Sequence, residues 1–270
     1  MWRRILPRCR HTTPNQDASR HGGPDPLPHQ RSLPFATTTT TDPPSYARSV
    51  KPVLIRQHVE SAPPGLLGAW LDARGLAYEV DRSWVSARLP DPADYSSVAS
   101  LGHDRMAGDT HVPAVAAERA LLARAVEREV PVLGLCYGGQ VLAAVLGAQV
   151  GPAPEPELGW REIETDDPGV VPPGPWLEWH YERFCTPPGA TELARTADAP
   201  QAFRYGPHVG VQFHPEATVE IVEGWARADG VDHVDLSAPR RQREAAASAA
   251  FSLFDGFLRA ADLFEQKVAV

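Results

Sequence analysis

The chain has 270 residues, 43% hydrophobic and 22% charged, with 26 basic against 34 acidic side chains and a net charge of −8. That balance is ordinary for a globular protein and argues against a nucleic-acid partner, which wants a basic surface. Nothing in it suits a membrane partner either, since no apolar run reaches the roughly 20 residues of a spanning helix. Cys9, Cys136 and Cys185 are widely spaced, with no Cys-x-x-Cys pair and no disulfide framework, which points to a reducing, cytoplasmic setting.

Residues 1–48 differ from the rest: seven Arg and no Lys, three Asp and no Glu, eight Pro, five consecutive Thr from Thr37 to Thr41, and a net charge of +4. With little apolar area to offset ordering entropy, this segment reads as a disordered tail. Ile5-Leu6-Pro7 is too short an apolar core for a secretory signal. Residues 49–270 carry the pattern of one α/β domain that ends in helices.

The first strand is expected at Pro52–His58, followed by a helix, Leu66–Arg74, with Leu67, Trp70 and Leu71 at helical spacing and Gly75 to end it. Ala77–Asp81 and the stretch Asp94–Gly102 read as the second and third strands. Val115–Glu129 is the clearest helix. Ala116, Leu121, Leu122, Ala125 and Val126 form its apolar stripe, and Glu118, Arg119, Arg124, Glu127 and Arg128 are expected to face water. Strands alternating with helices argue for a parallel sheet covered on both faces. Beyond Gly147 the expected strands are Gly159–Thr165, Trp176–Phe184, Ala202–Tyr205 and Val209–His214, antiparallel and closing one side of the sheet. Helices follow at Thr218–Arg227 and Arg240–Phe264, the second docking through Phe251, Phe254, Phe257 and Leu258.

Between the long helix and that second half lies the most informative stretch. Val130–Leu135 is an apolar run that ends on Cys136; Gly138 and Gly139 follow, then an apolar helical segment from Gln140 to Leu146 closed by Gly147. Strand, sharp turn bearing a nucleophile, then helix is the nucleophile-elbow pattern. The glycines let the turn tighten and the helix start pack closely. Most cysteines ending an apolar strand are inert packing. The Gly-x-Cys-x-Gly-Gly setting instead marks Cys136 as a nucleophile, its thiolate favoured by the free amides of a helix start. A thiolate needs a base, and the base needs an orienting acceptor. Gly210–Glu216 reads as a strand delivering His214 at its end, stopped by Pro215, with Glu216 two residues on. A lone histidine would be read as packed or surface-bound; a parallel sheet joins this one to the elbow.

Gly134-Leu135-Cys136-Tyr137-Gly138-Gly139-Gln140 together with Gln212-Phe213-His214-Pro215-Glu216 resembles the class I, triad-type glutamine amidotransferases. The likeness is greatest to stand-alone members related to the GMP synthase glutaminase domain. It implies a flavodoxin-like, three-layer α/β sandwich with a mixed parallel sheet, and no cofactor. It also implies that Cys136 attacks the glutamine side-chain amide to form a γ-glutamyl thioester, with His214 as general base and acid and Glu216 orienting it. The Tyr137 N–H and the loop Gly102-His103 would meet the charge developing on the amide oxygen, while Gln140 and His180 would help hold substrate. Gln140 also has a plain reading as a helix-surface residue. Ammonia would pass to a partner synthase or another acceptor.

One departure stands out. Where the family carries a Gly-Gly-Pro type turn, this chain has Leu101-Gly102-His103-Asp104-Arg105-Met106, which puts a side chain in the oxyanion loop. His103, Asp104 and His111 lack a diagnostic ligand spacing, so no metal is assigned. Two alternatives stand beside the glutaminase: hydrolysis of other γ-glutamyl amides or peptides by the same triad, and a binding or regulatory subunit with a weakened loop.

Overall fold

In the computed structural model of the chain the described residues are 51–84, 88–231 and 240–263; the tail expected over residues 1–48 lies outside them. The first half alternates strand and helix: β1 (Val53–Gln57), α1 (Gly65–Arg74), β2 (Tyr78–Arg82), β3 (Ser97–Ser100), α2 (Pro113–Glu127), β4 (Val132–Leu135) and α3 (Tyr137–Val145). Strands then dominate, with β5 (Val150–Arg161), β6 (Glu164–Thr165), β7 (Trp176–Phe184), β8 (Thr191–Arg195), β9 (Pro200–Tyr205) and β10 (His208–Val211). Two helices close the described chain, α4 (Val219–Asp229) and α5 (Arg240–Ala260).

One sheet runs in the order β2-β1-β3-β4-β10-β9-β8-β6. Its first five strands are parallel, and β9, β8 and β6 continue it antiparallel. Strands covered on both faces read as continuous apolar runs, and β1 shows why. Val53 and Ile55 face one way, onto Trp70 and Leu71 of α1 and Phe254 and Phe257 of α5. Leu54 faces the other way, onto Leu121 and Leu122 of α2 and Val141 and Leu142 of α3. Helix, sheet, helix is the three-layer, flavodoxin-like arrangement. The chain adds β2 on one side of β1 and then β3 and β4 on the other. Ligands of such sheets bind at the carboxyl ends of the strands beside that reversal.

Several elements differ from expectation for physical reasons. Glu118, expected to face water, is fully buried. It lies three residues after Val115 and three and four before Leu121 and Leu122, so helical spacing turns it inward. Its Oε2 accepts from Arg56 Nε at 2.9 Å and its Oε1 from Ser100 Oγ at 2.8 Å. Ala116, assigned to the inward stripe, is exposed instead. β5 begins at Val150 rather than Gly159 and pairs with β7 as a separate two-stranded ribbon, so only β9, β8 and β6 extend the main sheet. β8 was not expected, and β10 stops at Val211, three residues short of His214. Cys136 is a free thiol.

Candidate active site

Cys136 is the bend between β4 and α3, with φ 50° and ψ −108°. A side-chain-bearing residue held there stores about 1–3 kcal/mol of strain and persists only where its surroundings impose it. Here the Cys136 N–H donates to Val211 O on β10 at 2.9 Å, and the Cys136 carbonyl accepts from the Gln140 N–H in the first turn of α3 at 2.9 Å. The glycines do not make the bend. They let α3 start against two strands: a Cβ at Gly138 would stand 2.1 Å from Ser100 O on β3, and one at Gly139 2.5 Å from Val211 O on β10. The sulfur ends up 3.8 Å from Gln212 Nε2 and 4.0 Å from Trp179 O.

His214 arrives from the loop after β10, its N–H donating to Leu177 O on β7 at 2.9 Å. Its Nδ1 donates to Glu216 Oε1 at 2.8 Å, which turns Nε2 toward Cys136. Both groups are buried, at 4% and 2% exposure. Burial alone would lower the His214 pKa; the negative charges of Cys136 and Glu216 outweigh it and hold that pKa well above the ordinary value. Gly102 lies against the same ring, where a Cβ would come 3.0 Å from Cε1.

A cavity of about 380 Å³ opens over this group. Each of the eight residues singled out from sequence lines it except Glu216, which stands behind His214. His103 is half-buried, stacked on His58 with ring centroids 5.5 Å apart and planes 7° from parallel. The Tyr137 ring meets both imidazoles edge-on, at 5.1 and 5.0 Å. Burial lowers the His103 pKa, against the raising effect of Asp104. Gln140 is buried rather than on the helix surface, its Nε2 donating to Glu182 O at 3.1 Å.

His180 is engaged on both ring nitrogens by protein groups. Nδ1 donates to Glu182 O at 2.9 Å, and Nε2 lies 3.1 Å from Glu178 Oε2 and 3.3 Å from Glu157 Oε2. With Nδ1 donating, only a protonated Nε2 suits two carboxylates. Burial opposes that charge, but Glu157 and Glu178 raise the His180 pKa to about 10. Sequence reading missed Glu182. Its carboxylate lines the cavity, accepts from the Ala107 N–H at 3.0 Å and has its pKa raised by burial. The signal was present: Glu178, His180 and Glu182 alternate along one strand, so all three share a face.

A doubly covered parallel sheet, a strained thiol on the turn into a helix and an imidazole–carboxylate pair at the neighbouring strand end define an α/β protein with a cysteine-centred cleft. Residues 108–221 match the family described as glutamine amidotransferase class-I. The glutamine amidotransferase-like protein YfeJ of Salmonella typhimurium is 30% identical over 208 residues, covering 72% of this chain and 86% of that protein. The crystal structure of a glutamine amidotransferase from Methylobacillus flagellatus superposes with a TM-score of 0.71 at 28% identity, over 78% of this chain and 96% of that one. The glutamine-hydrolysing GMP synthase of Aeropyrum pernix is 42% identical over 109 residues, 35% of this chain, and the chain spans only 21% of that enzyme's length. The chain belongs to the class I glutamine amidotransferase family.

Proposed function

We propose that the protein is a cysteine-dependent glutaminase that hydrolyses the side-chain amide of glutamine and supplies ammonia to a separate synthase. The observation that carries this is the His214 imidazole, hydrogen-bonded to Glu216 on one side and paired with the Cys136 sulfur on the other, at the floor of an open cavity. The Cys136 thiolate attacks the amide carbon. His214 passes its proton to the leaving nitrogen, then takes one from the water that opens the γ-glutamyl thioester. Glu216 holds the imidazole in the tautomer this needs. The negative charge on the amide oxygen is met by the Tyr137 N–H, in a helix turn whose amides have no intrahelical acceptor, and by the backbone of Gly102-His103. Gln140 and the buried Glu182 carboxylate suit the polar end of an amino acid, the carboxylate its ammonium group. His180, charged and tied to Glu157 and Glu178, steadies β7 beneath them.

The similarity to GMP synthase supports a partner enzyme as the ammonia acceptor. The test is labelling with a glutamine-mimicking electrophile, with peptide mapping and a glutamate-release assay. The expected result is modification at Cys136, and loss of both labelling and glutamate release in Cys136→Ala. Turnover retained in that variant would rule the proposal out, and a Cys136 no more reactive than free cysteine would favour a binding subunit.

A further inference from the structure

In the mechanism above the leaving nitrogen must lie within hydrogen-bond reach of His214 Nε2, so whatever that nitrogen carries is directed along the wall beside His214. That wall is apolar and fixed. The Trp225 ring of α4 packs on the His214 imidazole with centroids 4.6 Å apart. The indole is held by its Nε1, which donates to Ser61 O in the β1–α1 loop at 2.7 Å. Val59, Ala62 and Ala228 also line the cavity. The one ionisable group α4 adds there, Asp229, accepts from Trp179 Nε1 at 3.0 Å. Ammonia is small and strongly hydrated and gains nothing from an indole face; an amine with a flat apolar substituent gains by every part it buries. The volume agrees, since about 380 Å³ falls in the range that encloses drug-sized ligands and exceeds the need of a molecule of about ten non-hydrogen atoms such as glutamine.

We propose that this site also hydrolyses γ-glutamyl amides of apolar, preferably aromatic, amines, with the amine substituent seated against Trp225. The inference rests on the glutaminase reading and extends its substrate class. The thiolate adds to the γ-carbonyl carbon and the C–N bond breaks. The His214 proton goes to nitrogen and the neutral amine leaves. Water then adds to the thioester, its proton returns to His214, and the C–S bond breaks to release glutamate. The net reaction is γ-glutamyl amide plus water to glutamate plus amine, with no further reactant.

The experiment compares kcat/KM for L-γ-glutamyl-anilide, L-glutamine and L-α-glutamyl-anilide on the full chain and on Trp225→Ala and Trp225→Phe. The γ-anilide is expected to match or exceed glutamine, and the α-anilide to be inert. Trp225→Ala should lower the γ-anilide value at least about tenfold more than the glutamine value, chiefly through KM, as loss of an apolar pocket wall does, and Trp225→Phe should restore the ratio. Glutamine turnover with the γ-anilide a hundredfold poorer, or equal losses on both substrates in Trp225→Ala, overturns this inference and leaves the glutaminase reading standing. Turnover of neither substrate, with Cys136 unlabelled, defeats the glutaminase reading and this inference with it.

Discussion

His214 and His58 are equally buried, at 4% exposure each, yet their charges are driven in opposite directions. His214 is held well above the ordinary histidine pKa, whereas burial carries His58 down to about 4. Their neighbours account for this. His214 has Glu216 and the Cys136 sulfur as anions, and together they outweigh desolvation. The anion beside His58 is Glu118, which is already bound by Arg56 Nε and Ser100 Oγ, and Arg56 and His103 add to the push downward. What remains to His58 is the hydroxyls of Ser83 and Ser100, at 3.3 and 3.2 Å. Burial sets how much a charge costs, and the balance of nearby ions decides whether the cost is met. One region therefore keeps a proton at the cavity floor, and the other a neutral ring that stacks on His103 of the Gly102-His103 loop.

The widest separation of the two regions is expected from removing the anion of each. Glu216→Gln leaves the imidazole in place and keeps a carbonyl acceptor beside it, but takes away the charge that orients it and holds its proton. Glutamate release should fall by about 10²–10⁴-fold, seen mainly in kcat, with the melting midpoint little changed. A variant with unaltered kcat would mean Glu216 does not orient the base. Glu118→Gln does the reverse. It leaves the buried Arg56 guanidinium paired with Asp81 alone and puts a neutral amide where a charged acceptor took its second bond, a change that costs about 1–3 kcal/mol. Chemical denaturation should show a loss of that order. Any activity lost should return as far as the fold does, because Glu118 lines no part of the cavity.

These regions were also unequally legible in the sequence. Cys136 stood out because a tight helix start demands glycines beside it, and His214 because Glu216, two residues on, is near enough to hold its ring. The neutral cluster has no such local signature. Arg56, His58, Ser100 and Glu118 come from β1, its following loop, β3 and α2, and only the parallel pairing of β1 with β3 brings them together. Helical spacing alone could have turned Glu118 inward, had a carboxylate on an apolar stripe been taken at face value. β8 was hidden for another reason: Thr191–Arg195 alternates weakly, and its place in the sheet comes from pairing with β9. The ribbon of β5 and β7 escaped because Pro152, Pro154 and Pro156 argue against a central strand, and an edge strand is where such residues fit.

The smallest expected effect is also the most direct reading of the two histidine environments, since it needs no substrate. Between pH 6.5 and about 4 the unfolded chain protonates His58 while the folded chain does not, so stability falls as the pH falls through that window. His208, lowered to about 4 by burial, has the same sign. At 1.36 kcal/mol per pKa unit each contributes up to about 3 kcal/mol at the acid end. His180 has the opposite sign. Its pKa is raised to about 10, so its contribution is complete below pH 6.5 and is lost as the pH climbs toward 10. His214, raised as well, adds to that alkaline arm. Stability should therefore peak near pH 6.5, with arms of different origin on either side. His58→Gln removes a proton site from the acid arm alone, keeping a neutral side chain able to bond Ser100. The midpoint-against-pH slope between 4 and 6.5 should flatten by up to about half, while the slope above 6.5 stays the same. An unchanged acid slope would mean His58 carries its proton in the folded state, and that the ring stacked on His103 is a cation rather than a neutral support for the loop.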